Sequence, residues 1–203
     1  IHGLGVAYKD QVVLASKHDI CGETADALNA AGIPALHLGD IFQRPEVKDL
    51  LALLQLFIDR SGSGLLRISR LPGLEMPPAD VDCILAWLDG SRPEPLSWFD
   101  SPPAGLSATA ISALQRWKAV FHGLSSKESP WDVVCTLLLA RTRILDPHLL
   151  GSGILDVTRR IALWQIIYFL RVPDGNHAYQ TVGSFISRLR RRLRIGDDRE
   201  LRV

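Results

Sequence analysis

The sequence is poor in the residues that build cofactor and metal centres. It holds three cysteines, one methionine and six histidines in 203 residues, and aromatic residues make up only 7%. Cys21, Cys83 and Cys135 lie about sixty residues apart, an odd number at no metal or redox spacing, which predicts reduced thiols in the core. The histidines pair neither with one another nor with cysteine at metal-ligand spacing, so no zinc site is expected. No Gly-x-x-x-x-Gly-Lys-Ser/Thr run occurs, which removes the backbone nest and lysine that hold nucleotide phosphates. Gly3-Leu4-Gly5 precedes the first apolar run instead of following it, and Tyr8 stands where a dinucleotide loop needs its third glycine. A Gly-x-Ser-x-Gly elbow is missing too, and the close acids Asp80 and Asp82 sit in a polar context that suits helix-end roles better than an acid–base dyad. Catalytic, cofactor and metal residues are therefore expected to be absent.

Long apolar runs are lacking as well. None reaches the roughly 18–20 residues of a membrane span, and the first residues have neither the basic nor the apolar region of a signal peptide. These features predict a soluble cytoplasmic protein with no membrane partner. The first residue is Ile rather than Met, which suggests that something precedes it.

What the chain does have is globular: 47% hydrophobic and 22% charged residues, with 23 bases against 22 acids. The balance is uneven, because residues 181 to 203 carry seven arginines and three acids, leaving 16 bases and 19 acids in residues 1 to 180. Gln11 to Ala15 is a short β-branched apolar run, Gly22 to Ala31 has helical composition, Gly32 and Pro34 stop it, and Ala35 to Leu38 reads as a second strand. A strand–helix–strand crossover implies a parallel pair that needs further strands beside it. Arg44-Pro45-Glu46 then opens the strongest helix, with Val47, Leu50, Leu51, Leu54, Phe57 and Ile58 at three- and four-residue spacing. Further helices are predicted at about 65–69, 79–88, 108–123, 130–142, 153–171 and 182–195. Within the fifth of these, Ile161 to Leu170 is too apolar to be anything but core or a domain interface. The expected fold is mainly α: a small β-α-β strip over residues 1–44, followed by an irregular helical domain over 45–203.

One helix stands out for charge. At about 100° per residue, Val182, Phe185, Ile186, Leu189 and Leu193 share one side of residues 182–195, while Arg188, Arg190, Arg191, Arg192 and Arg194 spread over the other. Five guanidiniums on one side suit a polyanion such as DNA, through charge-assisted bonds and counterion release. The same arginines would equally suit a solvated face, or pairing with acids of Asp197, Asp198 and Glu200 or of a neighbouring domain. Aromatic residues do not interleave with them, so no stacking platform is expected at this helix.

Val12-Val13-Leu14, then Ala27-Leu28-Asn29-Ala30-Ala31-Gly32-Ile33-Pro34, then Leu38-Gly39-Asp40-Ile41-Phe42-Gln43-Arg44-Pro45-Glu46-Val47-Lys48-Asp49-Leu50-Leu51 resembles the superfamily 1 DNA helicases of the UvrD/Rep type. In that family this stretch belongs to the second RecA-like domain, 2A, and leads into an inserted helical subdomain, 2B. Gly183 to Leu189 is similar to the helix that closes 2B, and Gly196 to Val203 to the stretch before the chain re-enters 2A. The resemblance implies a fragment of an ATP-dependent DNA helicase of the repair or recombination class. ATP and Mg²⁺ would be bound by other parts of the parent chain, whose partners would be single-stranded DNA, the duplex junction and the remaining helicase domains. Where many relatives carry Arg-Thr-Asn after the first strand, this chain has Ser16-Lys17-His18, so Lys17 joins the five arginines as a candidate nucleic-acid contact. Where the relatives' duplex-touching Gly-Ile-Gly turn should follow a proline, this chain instead has Pro72-Gly73-Leu74-Glu75-Met76-Pro77, in which Glu75 repels phosphate and the prolines remove the amide donors of such a turn. The competing expectation is a non-catalytic helical interaction or regulatory module.

Overall fold

Proline at the first turn, Glu46 beside it and an almost unbroken apolar run make residues 45–55 the natural hub of a helical protein. In the computed structural model, which describes residues 5–37, 39, 41–146, 151, 153–171 and 181–195, they are that hub. Eight α-helices are described: α1 (His18–Ala30), α2 (Pro45–Gln55), α3 (Leu65–Ile68), α4 (Pro78–Ser91), α5 (Ala108–Phe121), α6 (Pro130–Cys135), α7 (Ile154–Arg171) and α8 (Val182–Ile195). Val47, Leu50, Leu53 and Leu54 of α2 are sealed from solvent, and α3, α6, α7 and α8 all pack around it. Leu56 and Phe57 stay buried after the helix has turned off, which is why the apolar pattern runs past its end. No described helix is long and apolar enough to cross a membrane.

An aromatic cluster ties α5 to this hub. Phe121 stacks on Phe99 at 5.8 Å and meets Phe57 edge-on at 5.4 Å, while Trp117 stands edge-on to both Trp98 and Phe99. Ser107 starts α5 by accepting the Ala110 N–H at 3.1 Å. It also donates its hydroxyl to Asp80 at 2.7 Å, so Asp80 is a buried structural anchor between α4 and α5. After α6 the chain continues as a single π-helical turn, Thr136–Arg141, in place of the plain helix predicted to residue 142.

The β-α-β strip is not formed. α1 is present and ends as its sequence requires: Gly32 adopts φ +76°, its N–H reaches the Asn29 carbonyl, and the Ile33 N–H reaches Leu28 at 2.9 Å. Residues 11–15 and 33–37 are irregular, and no strand occurs among the described residues; Leu38 lies outside them. The local reason is Asn29, whose side-chain amide takes both the N–H (3.0 Å) and the C=O (3.2 Å) of Ala35, the groups a ladder to Val12–Leu14 would need. The wider reason is that a lone parallel pair lacks the neighbours that bury its two faces. Val12, Val13 and Leu14 are accordingly 79%, 58% and 87% exposed. Ala25 is the only buried residue described before Phe42, where the core begins. The cysteines also differ from expectation: Cys83 is exposed, and Cys21 and Cys135 are only half-buried.

Candidate nucleic-acid interface

The C-terminal helix α8 is seated from its first turn. Thr181 and Ser184 cap it reciprocally, the Ser184 N–H donating to the Thr181 hydroxyl at 3.1 Å and the Thr181 N–H to the Ser184 hydroxyl at 3.0 Å. The N–H groups of Val182 and Gly183 donate to the carbonyls of Glu128 and Ser126. Val182, Phe185, Ile186 and Leu189 are buried in the core, as the helical projection places them.

The described arginines of this helix are held. Arg188 is half-buried and engaged. Arg190 points a guanidinium nitrogen at Asp59, 3.7 Å from its carboxylate. Asp59 is the organiser of the loop after α2, accepting from the Ser61 N–H (3.0 Å), the Ser61 hydroxyl (2.8 Å), the Ser63 N–H (3.0 Å) and the Ser63 hydroxyl. Burial alone would push its carboxyl up, but these four donors outweigh it and hold the group below its ordinary value. The side chains of Arg191, Arg192 and Arg194 lie outside the described residues, as do Asp197, Asp198 and Glu200. Lys17 is exposed at the head of α1, away from the core that seats α8. Of the six candidate cations, then, one is paired with an acid that sequence inspection had not connected to it.

A second basic feature has no counterpart in the sequence reading. A groove of about 740 Å³ runs between the Pro72-Gly73-Leu74 turn and the end of the π-helical turn, lined also by Val120, Leu139, Arg141, Arg143 and Asp146. Both walls are fixed by guanidinium-to-carbonyl bonds. Arg116 donates to the Gly73 and Glu75 carbonyls at 3.2 and 3.3 Å, and Trp117 donates its indole N–H to Leu74 at 2.8 Å. Arg141 donates to the Val120 and His122 carbonyls at 2.8 and 2.5 Å. Carbonyls orient a guanidinium without cancelling its charge, so Arg116 and Arg141 remain cationic while being held still. Arg143 is exposed at the same rim, and Asp146 is the acid that opposes it. Nothing in the sequence marks this site, since Gly73 and Arg141 are distant in the chain and the Arg141-Thr142-Arg143 run carries no periodic signal. Glu75 does not oppose the groove wall through its carbonyl, which Arg116 occupies, although its carboxylate adds a negative charge to the turn.

The sequence has no phosphate loop, and among the described residues no three His, Cys, Asp or Glu side chains converge. Among the described residues the other perturbed group is Cys135, whose thiol is pushed up by burial and by the neighbouring Asp132. Compared with known proteins, the chain matches no family model, no curated protein and no solved structure.

Proposed function

We propose that this chain is the 2B-type subdomain, with an adjoining strip of 2A, of a UvrD/Rep-like ATP-dependent DNA helicase. In this reading the chain contacts DNA or gates the motor, while ATP and Mg²⁺ are handled by the rest of a cytoplasmic parent enzyme. The observation that carries the reading is the strip around α1. Its helix is well terminated, yet Val12, Val13, Leu14 and Leu36 stand exposed on the extended segments at both sides of it. Beside a helical body with a continuous core, such a strip has the character of two strands awaiting the sheet they belong to. The groove rimmed by Arg141 and Arg143, with Arg116 bracing the Gly73 turn beside it, supports the DNA-contacting role, because Arg116 and Arg141 are fixed by neutral carbonyls.

The test is to express the chain with and without its flanking coding sequence. The longer product is expected to hydrolyse ATP in a DNA-dependent way and to protect residues 11–15 and 33–37 from hydrogen exchange. The 203-residue chain should do neither. A longer product without a phosphate-loop lysine and without ATPase activity would select the alternative, a helical interaction module.

A further inference from the structure

The apolar segment 161–170 divides its side chains unevenly. Thr158, Ala162, Leu163, Ile166 and Leu170 of α7 are buried, as a core helix requires, but Trp164 is 63% and Tyr168 54% exposed. The two are four residues apart, so they stack one above the other on the outer face, about 6 Å apart along the axis. Three residues further, on the same face, comes Arg171, whose guanidinium lies 5.6 Å over the ring of Trp131 at the start of α6. That contact holds the cation in place without neutralising it, and among the described residues no carboxylate pairs with Arg171. Among the described residues, the acids on α7 and directly beside Trp131 are two. Asp156, the only acid of α7, bonds Arg159 and the Gly153 N–H at 3.3 Å each, and Asp132 follows Trp131 on α6. Along α7 three arginines thus face one committed carboxylate.

We propose that this outer face of α7 is a contact for single-stranded nucleic acid, with Trp164 and Tyr168 as stacking platforms for two successive bases and Arg171 as the cation for the adjoining phosphate. Two exposed rings at one-turn spacing offer π-faces that any unpaired base can cover, whereas a duplex keeps its bases stacked inside. The charge decides between polymers. An apolar protein surface would have to bury the guanidinium of Arg171 at the edge of the contact without a partner, while a phosphate backbone supplies one at every step. This site is separate from α8 and from the Arg141 groove. It goes beyond the helicase reading and stands without it.

The test titrates the 203-residue chain into fluorescein-labelled oligo(dT) and into a blunt hairpin duplex, at low and moderate salt. The variants are Trp164→Ala/Tyr168→Ala and Trp164→Phe/Tyr168→Phe, each checked by circular dichroism melting. The double Ala variant is expected to bind oligo(dT) at least ~30-fold more weakly, the low end for two lost stacking contacts, with duplex affinity and melting unchanged. The double Phe variant should keep most of the affinity, because a ring survives at each position. Unchanged oligo(dT) affinity in the double Ala variant would overturn the proposal and leave the face to a protein partner. So would a wild-type chain that does not bind oligo(dT), or an equal loss on the duplex. The helicase reading is judged separately, by the ATPase of the longer product, so either can fail without the other.

Discussion

Asp59 offers the sharpest perturbation, because one carboxylate holds a loop and a helix together. Asp59→Ala removes the acceptor for four bonds from Ser61 and Ser63 and the partner of Arg190. Bonds to a charged acceptor are worth about 1.5–3 kcal/mol each when buried, but the two serines are exposed and water replaces much of what they lose. The ion pair is half-exposed on the Arg190 side and adds about 0–1 kcal/mol. A net loss of about 1–2 kcal/mol is therefore expected, which for a chain of this size lowers Tm by about 2–8 °C. The pH dependence identifies the cause. Because the folded carboxyl titrates below its ordinary value of 3.8, its stabilisation is complete above that value and disappears as pH falls through the lower, folded one. Melting curves of wild type and variant should thus differ fully at pH 7 and converge towards pH 3. A difference in Tm that stays the same at both pH values would refute the role given to the charge. The same variant frees Arg190, so if the α8 arginines bind phosphates, its DNA affinity should rise and its salt slope steepen by about one unit.

Other expectations follow from single contacts. Gly64→Ala places a Cβ 2.7 Å from the Ala52 backbone carbonyl, which no side-chain rearrangement can relieve; a loss of about 1–3 kcal/mol should appear in denaturant midpoints. Trp117→Phe leaves the Leu74 carbonyl without its indole donor in a fully buried site, and should cost about 1–3 kcal/mol while loosening the Pro72 turn, read as faster hydrogen exchange there. Arg191→Ala/Arg194→Ala should weaken DNA binding in fluorescence anisotropy without changing the fold, whereas Leu189→Asp should unfold α8 by burying a charge. Identical anisotropy curves for wild type and the double Ala variant would make α8 a packing element only. Calorimetry of the chain with ATP and Mg²⁺ should show no saturable heat, and micromolar binding would contradict the helicase-fragment reading.

The helices were legible because their signals are local. Proline at the first turn of α2, Gly32 after α1 and the three- and four-residue spacing in 182–195 act within one or two turns of chain, and the helices begin and end near where these residues put them. The strands were read from equally local signals and did not form, because a strand is completed by its neighbours; Asn29 claimed the backbone of Ala35 and nothing paired with Val12 to Leu14. The π-helical turn at 136–141 was beyond periodicity, since it ends the helix and no further turn follows in which its shifted apolar face would show. What charges do was decided by tertiary structure alone. The sequence puts Arg190 on a basic face, but only folding sets it against Asp59, more than a hundred residues earlier. Folding likewise draws Gly73 and Arg141 into one groove and turns Trp164 and Tyr168 outward from a segment whose composition reads as core. Hydrophobic periodicity fixes which side of a helix is buried, whereas the partner a polar or aromatic group meets depends on distant chain brought near, and distance in space is not written in the spacing of residues.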